Sequence, residues 1–120
     1  MKINTNIEET CLIVRMEGEL DMDSAVKFKE KVIPLLTKNK LHHLILNLSR
    51  VNFIDSTGLG AILGRYRVLE KQGGKVILIG LKPQVERIFS LSGMLKIMPQ
   101  FENEKKALNK INNRGEYNFA

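Results

Sequence analysis

The sequence predicts a single α/β domain, a mixed sheet of four to five strands with about four helices. Three observations carry that expectation. Leu44-Ile45-Leu46-Asn47-Leu48 and Val76-Ile77-Leu78-Ile79 are short, nearly continuous apolar runs, the pattern of strands covered on both faces. Between them Leu59, Ile62, Leu63, Tyr66 and Leu69 recur at helical spacing, so a helix over 56–72 joins two buried strands in a right-handed crossover. The chain has 120 residues, 43% hydrophobic and 27% charged, which is enough for one core and too little for two domains.

The remaining elements follow in order. Residues 3–9 and 11–18 read as a first, antiparallel pair, the second strand built on Leu12, Ile13, Val14 and Met16 and ended by Gly18. Asp21, Asp23 and Ser24 are candidate N-caps for a helix whose inner face is Ala25, Phe28, Val32, Leu35 and Leu36. Pro34 predicts a kink or an early end there, because it removes a hydrogen bond and crowds the preceding turn. Pro83 suits the first turn of a third helix, with Val85, Ile88 and Phe89 inward and Gly93 as the stop. Lys96-Ile97-Met98 is expected as a last short strand, and Ala107, Leu108 and Ile111 mark a final helix. The domain thus spans 1–111, and 112–120 is a polar tail expected to fray.

The net charge is +6, and Cys11 is the lone cysteine. An intrachain disulfide framework is excluded, a reducing compartment fits, and Cys11 reads as a small buried residue of a strand. No apolar signal region occupies the first ten residues, and no apolar run approaches the ~18 residues of a membrane helix. A soluble, cytoplasmic protein with no membrane partner is expected.

Polar residues gather in Asn52-Phe53-Ile54-Asp55-Ser56-Thr57-Gly58-Leu59-Gly60, at the start of the second helix. Capping alone would account for Asp, Ser and Thr at this place. A serine-hydrolase elbow fails, since Ile54 stands two before Ser56 and the two histidines, His42 and His43, are adjacent and elsewhere. A P-loop fails for want of the lysine after glycine. A phosphoacceptor-aspartate receiver fits poorly: Asp55 is in place, but the acidic pair and the lysine at the other strand ends are missing. One cysteine and two neighbouring histidines do not make a metal site.

Asp55-Ser56-Thr57-Gly58-Leu59-Gly60 followed by Leu63-Gly64-Arg65-Tyr66-Arg67 resembles the STAS domain of bacterial anti-sigma factor antagonists. Gly18-Glu19-Leu20-Asp21, Leu46-Asn47-Leu48 and Ser92-Gly93-Met94-Leu95-Lys96-Ile97 agree, so the resemblance runs from about Ile7 to Ile111. It implies a non-enzymatic regulator with no cofactor of its own. The unphosphorylated antagonist would bind an anti-sigma factor that is also a serine kinase and displace the sigma factor. The kinase, using ATP, would then phosphorylate Ser56, with Thr57 the alternative, and a PP2C-type phosphatase would reset it. The implied contact surface takes in Asp21, Asp55, Thr57, Gly58, Leu59, Leu91, Ser92, Gly93 and Met94. Of these Met94 is expected to be exposed, whereas Leu95 is expected in the core. For Asp21, capping and a contact to a basic partner residue are both open. Gly64-Arg65-Tyr66-Arg67 points to the sporulation, sigma-F branch; Ser56-Thr57 is equally at home in general-stress antagonists.

A reading from another class is a small basic nucleic-acid-binding domain, which requires clustered Lys and Arg with aromatic platforms. The basic residues instead scatter over several helices and the Lys105, Lys106, Lys110 and Arg114 region, and only seven residues are aromatic. No nucleic-acid partner is therefore expected. Nucleotide binding at the Ser56 helix start rests on Gly58 and Gly60 alone.

Overall fold

A computed structural model describes residues 1–112. The chain runs β1 (Lys2–Glu8), β2 (Cys11–Leu20), α1 (Met22–Lys38), β3 (His43–Ile54), α2 (Ser56–Lys71), β4 (Val76–Ile79), α3 (Pro83–Leu91), a 3₁₀ turn (Met94–Lys96), β5 (Gln100–Phe101) and α4 (Glu104–Asn112). The sheet order is β1-β2-β3-β4-β5; β1 is antiparallel to β2 and every other neighbour is parallel. The expected α/β domain with a mixed sheet is thus what forms, with five strands and four α-helices.

Period-two alternation divides the strands between two cores. Leu12, Val14, Leu44, Leu46, Leu48, Val76 and Leu78 face α1, α2 and α3, where Phe28, Val32, Ile62, Leu69, Val85 and Phe89 meet them. Cys11, Ile13, Ile45, Ile77 and Ile79 face the other way, against Ala107 and Ile111 of α4. Cys11 is the buried strand residue expected, and desolvation pushes its thiol pKa up to about 12. The first turn of α4 is held by Glu104, which accepts from Arg15 Nη2 at 2.7 Å, Arg15 Nε at 2.8 Å and Asn47 Nδ2 at 2.9 Å. These bonds, the Arg15 bond first, hold the Glu104 carboxyl below the ordinary glutamate range.

Four expectations need correction. Gly18 does not end β2; at φ 118 it sits beside a register shift, and the strand resumes to Leu20. The reason is a bulge, which a glycine absorbs and which bends the strand without ending it. Of the kink or early end expected at Pro34, the early end does not occur: α1 continues to Lys38, with Leu36 beyond the proline buried and anchoring the last turn. Lys96-Ile97-Met98 is not a strand: Gly93, at φ 79, turns the chain into the 3₁₀ turn, and β5 begins only at Gln100. That same turn points Met94 inward, leaving it 5% exposed within the main core, so it is no surface residue. The expected tail from 113 onward lies outside the described residues. Among the described residues no helix is long and apolar enough to cross a membrane.

Candidate functional site

Strands β2 and β3 finish side by side, Leu20 paired with Ile54, and each is followed at once by an aspartate that starts a helix. Asp55 N–H donates to Leu20 C=O at 3.2 Å, so the two helix starts are tied together at one end of the sheet. Asp21 caps α1 by accepting from Ser24 N–H at 3.0 Å. Asp55 caps α2 by accepting from Gly58 N–H at 2.9 Å, and its Oδ1 also accepts from the Thr57 hydroxyl at 2.5 Å. Both capping residues are extended, the conformation an N-cap needs.

Gly58 explains why the α2 start can sit so close. A Cβ there would lie 2.4 Å from Leu20 O, 2.9 Å from Leu20 Cγ and 3.0 Å from Ile54 Cγ1. Gly58 is accordingly buried, and it shapes the surface from beneath, while Leu59 beside it is half-buried.

Ser56 is the first residue of α2 and exposed, and no hydrogen-bond partner of its hydroxyl occurs among the described residues. Thr57 is exposed too, but its hydroxyl is committed to Asp55. That bond is the largest cause holding the Asp55 carboxyl below the ordinary aspartate range; the Gly58 N–H adds to it, and the nearby Asp21 charge opposes it. Asp21 is lowered as well, chiefly by the Ser24 hydroxyl and then by the Ser24 N–H. The site is therefore two ionised carboxylates flanking an unengaged primary hydroxyl at a helix N-terminus. No cluster of His, Cys, Asp or Glu able to hold a metal occurs among the described residues.

Asp21, Asp55, Ser56, Thr57 and Leu59 thus come together around one end of the sheet. Leu91 ends α3, and Ser92 and Gly93 follow it. Helix α3 starts near this end, where Lys82 Nζ donates to Asn52 Oδ1 at 2.6 Å, and carries Leu91 about 13 Å along its axis. Beyond it, Ile97 lies beside Val76, the first residue of β4, at the opposite end of the strands. Leu91 is nonetheless 78% exposed, the largest exposure of any big apolar side chain described. Sequence reasoning missed Met22 and Val26, 65% and 47% exposed on successive turns at the start of α1, and Phe53, 47% exposed just before Asp55. The signal for Met22 and Val26 was present: both are apolar yet lie off the Ala25, Phe28, Val32, Leu36 face.

The family model of the STAS domain matches residues 2–107. An anti-sigma F factor antagonist of Paenibacillus polymyxa is 37% identical over 100 residues, 83% of this chain and 86% of that protein. An anti-sigma-B factor antagonist of Bacillus subtilis (strain 168) is 34% identical over 100 residues, 82% of this chain and 90% of its own length. Among solved structures, the anti-sigma factor antagonist SpoIIAA in its unphosphorylated form aligns with a TM-score of 0.83 at 27% identity, over 93% of this chain and 97% of that one. The Bacillus SpoIIAA in its phosphorylated form aligns with a TM-score of 0.75, also at 27% identity, over 92% and 99%. With residues 2–107 matched by its model, this protein belongs to the STAS domain family.

Proposed function

We propose that this protein is an anti-sigma factor antagonist controlled by phosphorylation of Ser56. Unphosphorylated, it binds an anti-sigma factor and releases the sigma factor. The anti-sigma factor, acting as a serine kinase with ATP, phosphorylates Ser56 and lets go, and a PP2C-type phosphatase restores the binding form. The observation that carries this reading is the Ser56 hydroxyl, exposed and unengaged at the first position of α2 while Thr57 is tied to Asp55. The likeness to proteins named as antagonists, one of them solved with and without phosphate, supports it.

The physics of the switch is local. A phosphate adds about −1.5 to −2 charges at a helix N-terminus, where the helix dipole favours an anion. The fold tolerates it. The cost falls on the complex, where the new charge joins Asp55 and Asp21 against a surface that had packed on a neutral hydroxyl. Met22, Val26 and Phe53 supply the apolar part of that surface.

The test is incubation with a candidate anti-sigma kinase and ATP, followed by mass mapping. Phosphate on Ser56, its loss in Ser56→Ala, and weakened binding of Ser56→Asp are the expected results; phosphate on Thr57 alone, or tight binding by Ser56→Asp, overturns the assignment. Gly64-Arg65-Tyr66-Arg67 and the P. polymyxa relative favour the sigma-F pathway of sporulation, and the B. subtilis relative keeps the general-stress pathway as the second reading. Comparing affinity for the two kinds of anti-sigma factor decides between them.

A further inference from the structure

Among the described residues strand β1 is an edge of the sheet, paired to β2 alone. The hairpin closes Glu8 against Cys11 over the two residues Glu9 and Thr10, with Glu9 at φ 56. In such a hairpin the closing pair is hydrogen-bonded, so Lys2, Asn4, Asn6 and Glu8 turn their backbone groups toward β2. Ile3, Thr5 and Ile7 turn theirs outward. One contact confirms the direction: Ile3 C=O accepts from Lys31 Nζ of α1 at 3.0 Å.

The strand reads Lys-Ile-Asn-Thr-Asn-Ile-Glu, which is chemically symmetrical about Thr5. Two copies laid antiparallel on a twofold axis through Thr5 place Thr5 opposite its own counterpart, Ile3 opposite Ile7, Asn4 opposite Asn6 and Lys2 opposite Glu8. In this register the residues that exchange interchain hydrogen bonds are Ile3, Thr5 and Ile7, the ones whose N–H and C=O already face outward. Shifting by two residues would leave part of each strand unpaired, and shifting by one would set inward-facing groups at the seam. The side chains agree with the backbone. Ile7, 42% exposed, meets the other copy's Ile3 on the helix side of the sheet, where β1 lies over Leu12, Val14 and Met16. Lys2 and Glu8, neither in an ion pair among the described residues, meet at both ends of the other face.

We propose that β1 is a self-association edge whose partner is a second copy of this chain, joined by antiparallel β1–β1 pairing to extend the sheet across a twofold axis. The seam is one short strand from each copy, below the area of about 1,200 Å² usual for stable complexes, so the dimer is reversible and concentration-dependent. Lys31 opposes it by occupying Ile3 C=O, as edge lysines keep sheets apart. None of the residues around Ser56 belongs to β1, so each copy keeps its own site.

Sedimentation equilibrium of the full chain from about 10 μM to about 1 mM tests the proposal. A reversible monomer–dimer equilibrium is expected. Lys2→Glu and Glu8→Lys singly set like charges opposite each other at both ends and should each weaken association about tenfold, and the double exchange should restore it. Thr5→Pro removes an N–H that β2 does not use and should abolish the dimer with the circular dichroism unchanged. Lys31→Met should strengthen association. A chain monomeric throughout the range overturns the proposal, as does a dimer in which the double exchange fails to restore what the single changes remove. If Thr5→Pro unfolds the hairpin, the charge exchange still decides.

Discussion

The two helix starts at the end of β2 and β3 use the same aspartate cap and leave opposite chemistry behind. At α1 the third helical residue is Ser24, buried, its hydroxyl 2.6 Å from Glu19 C=O and 2.7 Å from Asp21 Oδ1, while Asp21 N–H reaches back to it at 3.4 Å. That is a reciprocal capping box, and it consumes the serine. At α2 the third residue is Gly58, which has no side chain to give back and lets the helix sit directly on Leu20. The hydroxyls move two positions and one position earlier, to Ser56 and Thr57; Asp55 takes Thr57, and Ser56 is left to solvent. A regulatory hydroxyl is made here by withholding the partner that the neighbouring helix supplies.

The change that breaks this contrast hardest is Gly58→Ala. Its Cβ would meet backbone oxygen at 2.4 Å, which no rotamer change relieves, so α2 must lift off β2 at a cost of about 2–3 kcal/mol in urea unfolding. Gly60→Ala is the internal control: nothing lies within 4 Å of its Cβ, and the helix should gain about 0.5–1 kcal/mol.

Next come the two serines. Ser24→Ala strips a buried hydroxyl from Glu19 C=O and from the capping carboxylate and should cost about 1–2 kcal/mol. Ser56→Ala removes no hydrogen bond among the described residues and should stay within about 0.5 kcal/mol, measured by the same urea midpoint. Equal costs would mean that Ser56 is also a structural cap.

The carboxylates sharpen the comparison by titration. Asp21 and Asp55 both sit below their ordinary value of 3.8 in the fold, so the unfolded chain binds protons more readily. Their stabilisation is therefore complete at neutral pH and is lost as pH falls below about 3.8 through the folded values. Thr57→Val should raise the Asp55 value and leave Asp21 low, and Ser24→Ala should do the reverse. Side-chain carboxyl shifts followed by NMR check both.

What could be read from the sequence was what is settled within a few residues. Caps and the apolar runs of the inner strands depend on near neighbours, and so Asp21, Asp55 and Leu44 to Leu48 were legible; the close approach of Gly58 to Leu20, far away in the chain, was not. Met94 was not, because its burial is decided by the turn at Gly93 and by a core assembled from α1, α2 and α3. The ranking of Ser56 over Thr57 came from position in the motif, and its physical basis did not: the bond from the Thr57 hydroxyl to Asp55 is a matter of side-chain geometry. The early end allowed at Pro34 failed for the same reason as Met94, since the burial of Leu36 is tertiary and outweighs the local penalty.

The smallest effect is expected from phosphorylation itself. The phosphate on Ser56 enters at the first position of α2, where the dipole welcomes it, and beside Asp55, which repels it; these terms oppose each other, and global stability should change by less than about 1 kcal/mol. Repulsion should instead appear as a rise in the Asp55 pKa and a smaller rise at Asp21, whose charge already reaches Asp55. Amide shifts between the phosphorylated and unphosphorylated protein should concentrate in Phe53 to Gly60 and Glu19 to Ser24. Shifts of similar size in α3 or β1 would mean that the charge refolds the domain, and the contrast between a locked and a presented serine would then no longer explain how the surface is switched.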